Sequence, residues 1–207
     1  MKRRSVMKKA MMILLAGAML LAAFMILPIH GEAKLYDNVI RLHVLANSDS
    51  EEDQALKLRV RDAVLQKTDA LLKDAASREE AAEILQASLG ELEAVAKAAV
   101  ADAGYGNAVT VTLSRESYPT RQYEQLAFPA GEYLSLRVMI GEAEGQNWWC
   151  VLFPPLCMTA ATADRDTEAL CLSAGLTGEQ YRMIADTEST KYKLRFKILE
   201  VAEEIFQ

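Results

Sequence analysis

The chain is poor in the residues that most often carry chemistry. Its 207 residues include two histidines, His30 and His43, and three cysteines, Cys150, Cys157 and Cys171. His30 stands beside an apolar leader, so the body of the chain holds one imidazole, too few for a His-rich metal site. There is no His-Glu-x-x-His pair and no glycine-rich phosphate loop. Residues 48–53 are acidic but lack the glycine and ligand spacing of a calcium loop, and helix capping accounts for them better. No metal and no cofactor is therefore expected. Positive charge is also short, with a formal balance of −6. An acidic surface gives no support for nucleic acid as a partner. There is no internal repeat and no low-complexity linker.

What basic charge there is clusters at the start. Lys2, Arg3, Arg4, Lys8 and Lys9 precede an uncharged run over residues 10–27, then Pro28 and the small-residue pattern Gly31-Glu32-Ala33. Basic, apolar, small is the order of a secretory signal. The run is also at the lower limit for crossing a bilayer. Residues 1–33 are thus a signal peptide or a signal anchor, and either places the remainder outside the cytoplasm. Pro28 ends the helix and Ala33 offers a processing site, which favours cleavage. Without residues 1–27 the balance falls from −6 to −11. The residues that follow suffice for one domain with a real core.

Residues 38–46 alternate, with Ile40, Leu42 and Val44 against Arg41, His43 and Leu45, which predicts a strand with one apolar face. Asn47-Ser48-Asp49-Ser50 breaks it, and Ser50 or Asp49 can cap a helix whose first turn is Glu51, Glu52 and Asp53. That helix runs to about Leu72, with Leu56, Val60, Ala63, Val64, Leu71 and Leu72 as its buried stripe. Ser77 and Glu80 form a capping box for a second helix to about Leu89. Gly90 interrupts, residues 91–103 continue helically, and Gly104 is the C-cap candidate. Strands are predicted over 108–115, 132–140 and 148–153, the last two paired as a hairpin around 141–147. Residues 158–168 are the loosest stretch, and residues 191–206 read as a helix on length and glutamate content. The fold class is α+β or α/β: a small mixed sheet of about four strands with helices packed on it, after the leader helix. Residues 34–160 form the main domain and 161–207 a C-terminal helical segment packed on it.

Residues 147–157 concentrate the unusual side chains. Both tryptophans of the chain, Trp148 and Trp149, lie here with Cys150 and Cys157. Adjacent strand residues point to opposite faces, so one Trp packs inward and the other meets a second layer, a partner or solvent. Cys150 and Cys157 can close a disulfide if the chain turns at Phe153-Pro154-Pro155, or remain two buried thiols. Cys171 is left over, placed in a helix. A Cys/His hydrolase is a sharper reading: Cys150 as nucleophile, His43 as base, and Asp49 or Asn147 to orient it. Burial of the thiol weighs against it.

Three blocks carry a family resemblance. The first is Ile40-Arg41-Leu42-His43-Val44-Leu45-Ala46-Asn47-Ser48-Asp49-Ser50, continuing through Asp53-Gln54-Ala55-Leu56-Lys57 and Val60-Arg61-Asp62. The second is Phe128-Pro129-Ala130-Gly131-Glu132-Tyr133, and the third is residues 145–157. In order and spacing they resemble the stage II sporulation protein R family over roughly residues 36–160. The resemblance implies a signalling ligand rather than an enzyme. Such a protein is made in the forespore and secreted into the space between the forespore and mother-cell membranes. There it activates a membrane-embedded aspartic protease of the mother cell, which processes the sigma-E precursor.

The expected contact surface is Asn147, Trp148, Trp149 and Phe153, with Arg41, His43, Asn47 and Asp49 at the end of the first strand as second choice. A Trp that truly contacts a partner can be lost without unfolding the domain; a core Trp cannot. The competing classes are the secreted hydrolase and a membrane-tethered structural protein of the septum.

Overall fold

The computed structural model describes residues 35–123, 126–157 and 166–186, with Met11, Met12 and Gly17 besides. The rest of the leader and the helix predicted over 191–206 lie outside the described residues.

The first strand, β1 (Ile40–Leu45), is the spine of the sheet, and all six of its residues are buried. It runs parallel to β5 (Gly131–Ile140) and antiparallel to β6 (Asn147–Phe153). Outside β5 lies β2 (Val109–Tyr118), antiparallel to it, so the order is β2-β5-β1-β6. The mixed four-stranded sheet with helices on it is the α+β architecture that the hydrophobic periods predict. The predicted hairpin is not formed. β1 inserts between β5 and β6, and the connection 141–146 crosses over the end of β1 instead of folding straight back. What holds it there is non-local: Gly145 N–H donates to Ala46 O, Glu144 N–H to Asn47 O, and Glu142 N–H to the Asn47 side chain. These bonds are invisible to a reading of loop length.

One sheet face carries the helices. Ser50 caps α1 (Glu51–Leu72) by accepting from Asp53 N–H, and Ser77 caps α2 (Arg78–Ala87) by accepting from Glu80 N–H. The chain breaks at Ser88 rather than at Gly90, which sits inside α3 (Leu89–Asp102). Gly104 follows with φ +83°, and Gly104 N–H and Tyr105 N–H return to the carbonyls of Ala101 and Val100. That pair of bonds closes a Schellman motif, and the left-handed backbone there suits glycine. Leu56, Val60 and Val64 of α1 pack with Leu92, Ala96 and Val100 of α3 on Ile40, Leu42, Val44, Leu136 and Val138. Each fully buried aliphatic side chain of this layer contributes roughly 1.5–3 kcal/mol of transfer free energy.

The other face has a partial cover of its own. β2 extends beyond its predicted end to Tyr118, and a small hairpin follows, β3 (Arg121–Tyr123) with β4 (Leu126–Phe128). This hairpin, the segment before β1, α4 (Thr167–Ser173) and α5 (Gly178–Ala185) build a second core on Tyr118, Tyr133 and Val151. Cys171 lies in α4, fully buried in that core, and burial pushes its thiol up to about 12.

Candidate functional site

Strand register decides which predicted residues can meet. His43 is level with Arg137 on β5 and with Trp149 on β6, and Arg137 is level with Thr112 on β2. The four side chains therefore form one row across the second face, with strands roughly 4.8 Å apart. The neighbouring row is Thr110, Met139, Leu45 and Asn147. The cover stops short of these rows. Thr110 and Asn147 are exposed, and Thr112, Arg137, Met139 and Trp149 are half-exposed.

His43 is the hub of the row. Its Nδ1 lies 2.8 Å from Glu116 Oε1 and its Nε2 2.8 Å from Asn147 Oδ1. A doubly protonated ring donates to both. A neutral ring satisfies both if the Asn147 amide turns its NH2 inward. Burial alone raises the Glu116 carboxyl pKa, but the hydrogen bond and charge of His43, with help from Ser135 and Arg137, outweigh it. The carboxyl is held below its ordinary range. The Arg137 Nε lies 3.5 Å from Glu116 Oε1 and has no hydrogen-bond partner among the described residues. Trp149 packs at 5.4 Å from the His43 ring, and the Arg121 guanidinium lies 3.7 Å over the Trp149 ring. Glu116, Arg137 and Arg121 escaped the sequence reading. The signal available for Arg137 was its place in the alternation of residues 134–140.

Beneath the row sits Arg41, 0% exposed. Its guanidinium carbon is 4.4 Å from the Tyr118 ring centre, 5.0 Å from Tyr133, 5.3 Å from Phe128 and 5.5 Å from Tyr123. Its Nε donates to Cys150 O at 3.1 Å and its Nη2 to the Tyr123 hydroxyl at 2.5 Å, while Nη1 has no hydrogen-bond partner among the described residues. A buried charge costs several kcal/mol, and here aromatic faces and two hydrogen bonds offset it in place of a carboxylate. Burial pushes the Tyr118 and Tyr123 hydroxyls up in pKa, which keeps both neutral at working pH. Tyr118 in turn bonds Ser135 Oγ at 2.7 Å.

The remaining predicted residues are placed elsewhere. Arg41 is interior and Phe153 belongs to the helix-side core, so neither offers itself to a partner. Trp148 points to the helix side, where the Arg61 guanidinium lies 4.9 Å from its ring. Asn47 and Asp49 fasten the loop: Asn47 donates to Asp53 at 2.8 Å, and Asp49 accepts from Gln146 N–H at 2.7 Å. Lys57 completes the tie by donating to Gln146 O at 2.9 Å, and its burial lowers its pKa. Cys150 and Cys157 are joined in a disulfide, with Cα atoms 5.5 Å apart. Cys150 is level with Leu42 and His43 with Trp149, so the thiol position and the imidazole face opposite sides of the sheet. The Cys150/His43 pair of the hydrolase reading is not assembled.

The three sequence blocks that stand out in the chain thus converge. The first supplies Arg41, His43 and Asn47. The second supplies the Phe128 and Tyr133 rings on Arg41, and its Gly131 makes room for Tyr36, which a Cβ there would meet at 2.7 Å. The third supplies Asn147 and Trp149. Fold and site together define an α+β protein whose most elaborated surface is a polar and aromatic sheet face. A sequence profile of the stage II sporulation protein R family matches residues 36–163, and the chain belongs to that family. It is 44% identical over 121 residues to the stage II sporulation protein R of Bacillus subtilis (strain 168). The match covers 58% of this chain and 54% of that protein, so the chain spans about half the length of its curated relative. No solved structure matches. The family gives the chain a role in sporulation.

Proposed function

We propose that the chain is an intercellular signal of sporulation. It crosses the forespore membrane by its leader and acts in the space between the two membranes. There it activates a membrane-embedded aspartic protease of the mother cell, which then processes the sigma-E precursor. The observation that carries this reading is that the first and third family blocks meet on one partly exposed face, centred on His43, Asn147 and Trp149, while the second packs beneath it around Arg41. A surface built for packing alone does not need a histidine with both nitrogens engaged at the border of solvent. A ligand shifts an equilibrium only by its differential affinity, so this face must bind the active protease more tightly than the inactive one.

The test is reconstitution. The full chain is exported beside the protease and the sigma-factor precursor, and precursor cleavage is followed on a gel. Cleavage that depends on the chain supports the signal. A Cys150→Ser, Cys157→Ser double variant that folds and still triggers cleavage supports activation without thiol chemistry. No cleavage with the wild-type chain sinks the proposal.

A further inference from the structure

We infer that β2 joins β2 of a second copy of this chain, antiparallel, across a two-fold axis at Leu113, so that two sheets become one. Self-association of this kind is independent of the proposed signalling role. Three observations carry it. First, β2 is ten residues long, ends the sheet, and has no strand on its outer side among the described residues. An unpaired edge of that length is a template for pairing with another chain. Second, the hydrogen-bonding parity of β2 is fixed. Gly141 N–H donates to Ala108 O on the β5 side, whereas Val111 N–H points away from β5 and donates to Glu93 Oε2 of α3 at 3.3 Å. Backbone groups alternate sides along a strand, so Val111, Leu113, Arg115 and Ser117 turn theirs to the open edge. Ser114, Arg115 and Ser117 are exposed, and Leu113 is half-buried. Third, the charges beside this edge are self-complementary, with Arg115 on the strand and Glu93 next to Val111.

With the axis at Leu113, that side chain meets its own copy, and Arg115 comes level with Val111 of the second copy. Level residues of this kind exchange both backbone hydrogen bonds, with Cα atoms about 5.5 Å apart. Val111 N–H then passes from Glu93 to the carbonyl of the opposite Arg115. The freed Glu93 Oε2 stands beside the opposite guanidinium, and the symmetry makes this contact twice. Within one chain Glu93 keeps its Oε1 on Lys97 at 2.6 Å, and Arg115 approaches the exposed Asp37 at 3.7 Å. Those are surface pairs of small worth, and a guanidinium has donors enough for two carboxylates. On the other face Thr112 comes level with Ser114 of the second copy, hydroxyl against hydroxyl. An axis at Arg115 would set two guanidiniums directly opposite, and an axis at Glu116 two carboxylates, so both registers are disfavoured.

The experiment uses the full chain in detergent, with self-association read by sedimentation equilibrium over a concentration series. The expected result is a dimer whose dissociation constant rises at least about tenfold in Arg115→Glu, which sets acid against Glu93 of the second copy. Adding Glu93→Lys to Arg115→Glu recovers part of the loss. Thermal melts establish that each variant is folded. The register is read by cross-linking. Chains carrying Thr112→Cys and chains carrying Ser114→Cys are oxidised with diamide, separately and mixed, and run on a non-reducing gel. The two positions form a wide pair with Cα atoms about 4.5 Å apart, within disulfide reach, so the mixture gives far more covalent dimer than either chain alone. The native Cys150–Cys157 disulfide and the buried Cys171 do not compete. Monomer at every concentration, a dimer untouched by Arg115→Glu, or equal cross-linking in mixed and separate samples overturns the inference. Association through the apolar leader alone gives the second of these outcomes.

Discussion

Arg41 is the residue on which the second face rests. Among the described residues no carboxylate pairs with it, and four aromatic rings and two oxygen acceptors hold it instead. Arg41→Ala leaves a cavity among those rings and an unsatisfied carbonyl at Cys150. It should cost about 3 kcal/mol or more in urea unfolding. Arg41→Lys should recover little, because an ammonium neither stacks on rings nor reaches both acceptors. Glu116 gives a second prediction at this scale. Its folded pKa lies below the ordinary value of 4.5. The carboxylate therefore contributes stability that is present above pH 4.5 and is lost as pH falls through the lowered folded value. Urea midpoints measured from pH 7 to pH 3 should fall less steeply for Glu116→Gln than for wild type. Asp53 is held low as well, first by its hydrogen bond from Ser48, so the acid limb flattens only in part. The alternation of residues 38–46 made β1 and its apolar face legible, but it offered Arg41 as a partner contact where the structure buries it. The residues that bury Arg41 come from positions 118–133, which no local period reveals.

The elements show where local signals suffice. The first helix was readable to its caps, because Ser50, the acidic first turn and the apolar stripe all act within a few residues. The break after α2 and the order of the sheet were not. Loop 141–147 has the length and glycine of a hairpin turn, and only its bonds to Ala46 and Asn47 send it across β1. Strands β3 and β4 are three residues each, too short to carry a period. Gly141 tests the fastening. It has φ +58°, and a Cβ there would run into the Asn47 side chain. Gly104 has φ +83° and open space around it. Both alanine variants bear the left-handed strain, about 1–2 kcal/mol, but Gly141→Ala also displaces Asn47. Its loss in chemical denaturation should be roughly twice that of Gly104→Ala. Equal losses would mean that Asn47 gives way freely and does not fix the crossing.

On the scale of the whole molecule, two cores share one sheet, and each tryptophan serves a different one. Trp148 joins the helix side, and Trp149 lies on the far face beside His43 and under Arg121. The sequence reading foresaw that adjacent tryptophans divide between faces but not which would stand beside the exposed row. That depends on pairing with β1, a contact more than 100 residues away in sequence. The site was half legible for the same reason. His43, Asn147 and Trp149 were singled out by residue type and do meet, whereas Arg137, Arg121 and Glu116 enter only through register. The central claim is that this face, and not the helical layer, carries the activating contact. The most direct measurement is precursor cleavage triggered by a Thr112→Glu chain, with its melting temperature read alongside. Thr112 is half-exposed on the row, and a surface change of this kind should shift the midpoint by about 2 °C or less. The account predicts cleavage reduced at least about tenfold in a chain that melts like wild type, because a charge is placed where the partner must sit. Full cleavage by that folded variant would contradict it and move the contact to another surface.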